Sequence, residues 1–236
     1  MEDFKNGVFE KIAPKTLTTR GAGMKPKLIV WGASGHAMVV ADIIKQSGDY
    51  ELIGFLDDIN PNPINNRMSG LPVFEGRNCL EDLRRRGIDH IILGFGNCEA
   101  RLKLAKWSLE QGFSLATAIH PRATVAEGVT VGPGTVIAAG AVVNPRAVIG
   151  DNVIVNTCAS VDHECIIGEG VHICPGVHLA GRVSVGKATW VGIGATVVDG
   201  VRIGAGVMIG AGAVVVTDIP DGMLAYGVPA KVIKRL

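Results

Sequence analysis

From Ile119 to the C-terminal end, aliphatic residues return at every sixth position. Ile119, Val125, Val131, Ile137, Val143, Ile149, Val155, Val161, Ile167, Ile173, Leu179, Val185, Val191, Val197, Ile203, Ile209 and Val215 fill seventeen consecutive places without an insertion. Four residues after each comes a small or apolar residue, such as Ala123, Val129, Thr135, Ala141, Ala147, Val153, Ala159 and Cys165. One large and one small inward side chain per six residues predicts one flat side of a triangular prism. Three hexapeptides close a coil, and each coil covers its predecessor. Seventeen hexapeptides make between five and six coils.

The chain before this tract follows a different period. KLIVW is a short apolar strand ending in the turn GASGH, AMVVADIIKQ has helical spacing, and Gly48 stops it. YELIGFLDD is a second strand closed by two acids. A Pro-, Asn- and Gly-rich loop covers residues 59–72. Asn78 is the expected cap of a short helix, with Glu81 in the capping-box place and Gly87 beyond its end. HIILGFG reads as a third strand, and Asn97 as the cap of CEARLKLAKWSLEQ, which Gly112 stops. Alternating strands and helices predict a small Rossmann-like α/β domain with a parallel sheet over 24–117, followed by an all-β parallel helix over 118–236. Residues 1–23 show no period and are expected to be a disordered extension.

Composition narrows the function classes. Twenty-three Lys and Arg against 22 Asp and Glu leave a net charge of +1, which gives no reason to expect nucleic acid or an anionic membrane as partner. Thirty-two glycines and 5% aromatics suit a tightly coiled β architecture. The run IGAGVMIGAGAVVV lacks charge but is too short and too glycine-rich to span a bilayer. Five cysteines without a CxxC pair fit a reducing compartment, with the thiols as small buried groups. The expected location is the cytoplasm.

Against so apolar a repeat, ASVDHECIIG at 159–168 stands out. His163 could take the proton of an amine or hydroxyl attacking a thioester, and Glu164 could orient its ring; both are otherwise solvated corner residues. His163, His172 and His178 are spaced H-x8-H-x5-H, a first separation too short for the zinc sites of β-helical carbonic anhydrases, so no metal is expected. In the turn Gly32-Ala33-Ser34-Gly35-His36, glycines let backbone N–H groups approach a phosphate at the next helix's start. Asp57 and Asp58 end the following strand, where acids meet a ribose or base edge.

The order GASGHA, FLDD, GLPVFEG, HPRATV, NTCASVDHECIIG and GVPAKVI resembles the bacterial nucleotide-amino-sugar N-acetyltransferases, whose two-domain layout the sialic-acid O-acetyltransferases share. The resemblance covers Lys27 to Leu236 and implies a left-handed β-helix, His163 as general base and Glu164 as its support. It implies a nucleotide-sugar site at Gly32, Ser34, Gly35, His36, Asp57 and Asp58, with Asn156 and His172 beside the acceptor and acetyl group. Acetyl-CoA is the implied co-substrate, held by backbone around Gly181, Gly192, Gly194, Ala195 and Gly210, with Lys231 toward its phosphates. A homotrimer with sites between subunits is implied as well. The expected activity is acetyl transfer to the amine of a UDP- or GDP-linked deoxy amino sugar for surface glycans. Sugar or sialic-acid O-acetylation is the enzymatic alternative, and a non-catalytic nucleotide-sugar-binding scaffold the alternative of another class.

Overall fold

A computed structural model describes residues 24–59 and 66–236. The extension over 1–23 and the middle of the 59–72 loop lie outside the described residues.

β1 (Lys27–Trp31), β2 (Glu51–Asp57), β3 (Arg67–Met68), β4 (Leu71–Glu75), β5 (Ile88–Leu93) and β6 (Ser114–Leu115) form one sheet in the order β3-β4-β2-β1-β5-β6. All neighbours are parallel except β3 and β4. The helices are α1 (Gly35–Ser47), α2 (Leu80–Arg85) and α3 (Cys98–Glu110). Gly48 ends α1 at φ 70°, and Asn97 caps α3 by accepting from Ala100 N–H at 2.9 Å. The order places a topological switch between β1 and β5, and ligands of such sheets bind beyond the carboxyl ends of the strands.

Two expectations of the sequence reading fail in this half. Asn78 does not cap α2: it lies within a 3-10 turn over Arg77–Cys79 that runs into the helix, so Cys79 holds the cap position without a side-chain bond. Glu81 pairs instead with Arg85 one turn on. The loop assigned to 59–72 also runs into a strand, β4, whose LPVFE hydrogen-bonds β2. Of the cysteines, Cys98, Cys165 and Cys174 are buried, Cys79 is half-buried and Cys158 is exposed; all five are free.

The hexapeptide tract forms seventeen two-residue strands, β7 (Ala118–Ile119) to β23 (Val214–Val215). From β7 to β20 each pairs in parallel with the strand three places on, at a separation of eighteen residues, as in Ile154↔His172 and Val155↔Ile173. The strands therefore sort into three sheets, the faces of the prism. The second residue of each strand points inward, and from Ile137 to Val215 all of these are buried in one cluster with the small corner residues. β24 (Met223–Gly227) continues the first face beside β22 (Met208–Ile209) and turns back as the antiparallel β25 (Ala230–Arg235).

The two halves share a core. On the first face, the outward residues Ala118, Val136 and Ile154 are buried against Ala37, Val40, Ala41 and Ile44 of α1. Below α3 the fully buried Arg101 reaches across: Nε donates to Asn152 O at 3.0 Å, Nη1 to Gly96 O at 2.9 Å and Nη2 to Gly170 O at 2.7 Å. Asn152 and Gly170 are one coil apart, so a single guanidinium ties the α/β half to two successive coils.

Truncating an inward side chain in a middle coil leaves a cavity that stacked neighbours cannot close. Ile173→Ala is expected to cost about 2–5 kcal/mol of stability, read as a lower urea midpoint. Thr196→Ala, on an exposed outward position, is expected to stay within about 0.5 kcal/mol.

Candidate active site

Each coil has three corners, and the six-residue phase decides what stands at them. His163 and Glu164 form the corner after β14 (Ser160–Val161), while Thr157 and Cys158 form the one before it. The second corner residue takes a left-handed conformation, a place that glycine fills in many coils; Glu164 holds it at φ 58°. A non-glycine side chain there carries a local cost. In this case the carboxylate gained lies with Oε2 at 3.4 Å from His163 Nδ1, and its Oε1 at 3.4 Å from Arg146 Nη1 in the coil below.

Asp162 holds the backbone of this corner. Its Oδ1 accepts from His163 N–H at 2.7 Å and from the Asn144 amide of the previous coil at 2.8 Å. Those hydrogen bonds hold the Asp162 carboxyl below its usual range. One coil above, Gly181 lies directly over the imidazole, where a Cβ would meet His163 Cε1 and Nε2 at 2.5 Å. Gly181 O accepts from Gly200 N–H, and among the described residues nothing accepts from Gly181 N–H. Asp199, ion-paired with Arg182, stands beyond it.

A second set of residues gathers along the preceding corner. Asn156, His172, Cys174, Pro175, Trp190, Gly192, Ile193, Met208, Gly210 and Ala211 line a groove of about 390 Å³. Trp190 stands 4.3 Å from the His172 ring, centroid to centroid, and His36 at 5.9 Å on its other side. Asn156 Nδ2 lies 3.2 Å from His172 Nε2, and Gly96 O lies 3.4 Å from His172 Nδ1. Burial, with the Arg101 cation adding, lowers His36 to about 4 and His172 to about 3. Burial pushes the Cys174 thiol up to about 12, so no thiolate competes for an acyl group here.

The residues expected to face a nucleotide sit at the carboxyl edge of the α/β sheet. Gly32 follows β1 at φ 125° with its N–H bonded to Leu56 O, Ser34 occupies the cap position of α1, and Gly35 opens the helix with free space where a Cβ would stand. The first amides of α1 lack intrahelical acceptors by geometry and suit an anion. Asp57 ends β2 and is buried, accepting from Ile59 N–H at 3.0 Å. The Asp58 carboxylate is engaged by Trp31 Nε1 at 3.0 Å and Arg77 Nε at 2.8 Å.

The residues expected to meet the coenzyme divide. Gly192 and Gly210 line the groove, and Gly194 stands exposed at its corner. Ala195 is fully buried, its N–H bonds Gly192 O and its carbonyl accepts from His178 N–H. Lys231 is an exposed residue of β25 opposite Tyr226, outside the lining of the groove. His163 shares no contact with Asn156 or His172 within the chain, because the two groups occupy different corners. Residues that the sequence reading passed over are Arg101, Gly96, Trp190, Asn144 and Asp162. Among them Arg101 carried a signal, being a cation on the apolar face of α3. Among the described residues no three His, Cys, Asp or Glu side chains gather as metal ligands do.

With this geometry in place, the comparisons define the class. The PglD N-terminal domain matches residues 27–108, and the bacterial transferase hexapeptide of six repeats matches 182–217. PerB from Caulobacter crescentus, solved with CoA and GDP-perosamine, is 39% identical, covering 91% of this chain and 99% of its own at a TM-score of 0.83. A histidine-to-asparagine variant of perosamine N-acetyltransferase from the same organism is 38% identical, covering 91% and 98%, with a TM-score of 0.84. The acetyltransferase domain of PglB from Neisseria gonorrhoeae, solved with acetyl coenzyme A, is 41% identical, covering 89% and 100%, with a TM-score of 0.82. The fold is thus an α/β domain followed by a left-handed β-helix, and the protein is an acyltransferase. The chain belongs to the hexapeptide-repeat nucleotide-amino-sugar N-acetyltransferases that carry a PglD N-terminal domain.

The lowered histidines give a pH dependence. Unfolded imidazoles bind protons below about 6.5, whereas folded His36 and His172 wait until about 4 and 3. Their contribution to stability is therefore complete above about pH 6.5 and is lost as pH falls toward those folded values. Stability, read from the urea midpoint, is expected to fall between about pH 7 and 4 by an amount on the order of a few kcal/mol. His36→Gln is expected to flatten that slope.

Proposed function

We propose that the protein transfers acetyl from acetyl-CoA to the amino group of a GDP- or UDP-linked deoxy amino sugar destined for surface glycans. The observation that carries this reading is the stacking of the His163 imidazole over Gly181 with Glu164 at Nδ1. It leaves Nε2 as the ring nitrogen turned toward the next coil, where an acyl group can meet both a base and a backbone donor. The relatives named for GDP-perosamine with CoA, and for acetyl coenzyme A, support the two substrates.

In the proposed step the sugar nitrogen attacks the thioester carbonyl carbon while His163 Nε2 takes a proton from it. The carbonyl oxygen, now an oxyanion, takes the Gly181 N–H as donor. Collapse breaks the C–S bond, and the coenzyme sulfur leaves and is protonated to the thiol. Glu164 stabilises the imidazolium formed meanwhile. Pantetheine would run along the groove past Trp190, Gly192 and Gly210. The nucleotide would lie at Gly32, Ser34, Gly35 and His36, near Asp57 and Asp58.

A single chain leaves His163 on one corner and the groove on another. A second copy bringing its His163 to this groove completes the site, which is the reason for proposing a homotrimer with sites between subunits. No helix among the described residues is long and apolar enough to cross a membrane. Nucleotide sugars and acetyl-CoA are cytoplasmic metabolites, and we place the activity there.

Thiol release from acetyl-CoA with a panel of GDP-, UDP- and dTDP-linked amino sugars tests the assignment. Turnover on one of them, falling on the order of 100-fold or more in His163→Ala, is the expected outcome. Turnover on sialic acid alone would move the reaction to O-acetylation. Tight nucleotide-sugar binding without turnover would make the protein a scaffold. Gly181→Ala, whose methyl would press on the His163 ring, is expected to lower kcat on the order of 10- to 100-fold with the urea midpoint little changed.

A further inference from the structure

His172 lies in a chain of hydrogen bonds that begins and ends on backbone groups, so the position of every proton in it follows. At one end the Thr157 N–H can only donate, and it gives to Asn156 Oδ1 at 2.8 Å. That bond fixes the amide, so the atom facing His172 Nε2 at 3.2 Å is the Asn156 nitrogen, again a donor. Nε2 must then present its lone pair. At the other end the Gly96 carbonyl can only accept, and it lies 3.4 Å from His172 Nδ1, so the single ring proton sits on Nδ1. Arg101 Nη1 anchors the same carbonyl at 2.9 Å.

We infer that the relay Arg101–Gly96–His172–Asn156 locks His172 as the neutral Nδ1–H tautomer and makes it a positioning residue for the Asn156 amide. Its Nε2 lone pair is committed, so it is neither the base nor an acid of the reaction. What the relay delivers is the second N–H of Asn156. That hydrogen has no partner among the described residues and belongs to a side chain lining the groove. On the reading that the groove takes acetyl-CoA, it is a fixed donor for a carbonyl oxygen of the acyl-coenzyme, aimed before the ligand arrives.

The surroundings agree. Protonating Nε2 would set an N–H against the Asn156 amide nitrogen, and turning the amide would break its bond to Thr157. Arg101, His36 and the Cys98 thiol, which burial keeps protonated, lie by His172 on the α/β side, and Asn156, Trp190 and the protonated Cys174 on the side of the coils; none supplies a negative charge. Burial first, then those two basic groups, holds His172 down to about 3.

The test is nitrogen NMR of the histidine rings in the full-length protein, with His172 assigned by the signal lost in His172→Gln. Wild type is expected to show a protonated Nδ1 and an unprotonated Nε2 near pH 7. In Asn156→Asp the Thr157 bond survives while an acceptor replaces the donor at Nε2. There the ring is expected to become an imidazolium, and kcat to fall on the order of 100-fold with KM for the nucleotide sugar within about twofold. An Nε2–H tautomer in wild type, or a His172 titration between about pH 6 and 8, would overturn the relay, as would wild-type kcat in Asn156→Asp. The ring spectra need no substrate. Absence of turnover on every amino sugar would therefore sink the acetyltransfer assignment while leaving the tautomer decided on its own.

Discussion

The buried Arg101 guanidinium is the interaction on which the rest of the site depends. It is fully inaccessible and donates to Phe95, Gly96, Asn152, Gly170 and Val171 carbonyls, with no carboxylate partner among the described residues. A charge taken out of water without a counter-ion is tolerated only where oriented dipoles replace its hydration. Here those dipoles come from the end of β5 and from two successive coils, so the cation is satisfied only when the α/β half is seated on the β-helix in one place. That seating brings Gly96 to within contact of His172 and Trp190, where a Cβ on Gly96 would stand 3.1 Å from Trp190. Burial first, and then the same buried charge beside them, keep His36 and His172 neutral.

Much of this was legible in the chain, because both halves obey short periods. A spacing of six specifies which residues point inward, and eighteen-residue pairing follows once three sides make a coil. His163 stands two places after the inward Val161, so its place on a corner could be read directly. His172 stands one place before the inward Ile173, which makes it outward on a face. Its burial comes from the other half of the molecule, and no local period encodes that. Arg101 falls on the helical face shared with Leu104, Ala105 and Ser108, a polar residue where an apolar one belongs. Its acceptors on the β-helix, the Asn152, Gly170 and Val171 carbonyls, are more than fifty residues away, and carbonyls leave no mark on side-chain patterning. The failure at Asn78 has a local cause: the 3-10 turn displaced the helix start by one residue, so the cap-forming type stood in the wrong register.

Corner chemistry separates what is structural from what is costly. The left-handed second position is filled by glycine in many coils and by Arg146, Asn152, Cys158, Glu164, Arg182 and Ala188 in others. Arg146 and Glu164 occupy it at φ 64° and 58° in successive coils on the same corner, and their side chains meet. Two strained positions stacked to place a guanidinium on a carboxylate that also meets His163 make sense as support for that imidazole. Exposed ion pairs add little stability by themselves, so stability is a poor reason for keeping both residues at a glycine position.

The coil also explains why base and groove are apart. Corners recur at fixed intervals of six residues, so groups on one corner stack at eighteen-residue steps and never reach the next. Asn156, Cys174, Gly192 and Gly210 form one such column; His163, Gly181 and Asp199 form another. A rigid prism cannot fold one column onto the other, and the coils pack too tightly to shear: a Cβ on Gly192 would stand 2.6 Å from Ile209 O. In the proposed mechanism the reacting groups would therefore meet between prisms, with one molecule's column of Asn156 facing another's column of His163. In that arrangement the α/β half would add a third requirement. Its N-terminal helix end and the relay through Gly96 belong to the groove-bearing molecule, so on this proposal nucleotide and acyl donor would be held by one chain and the proton taken by another.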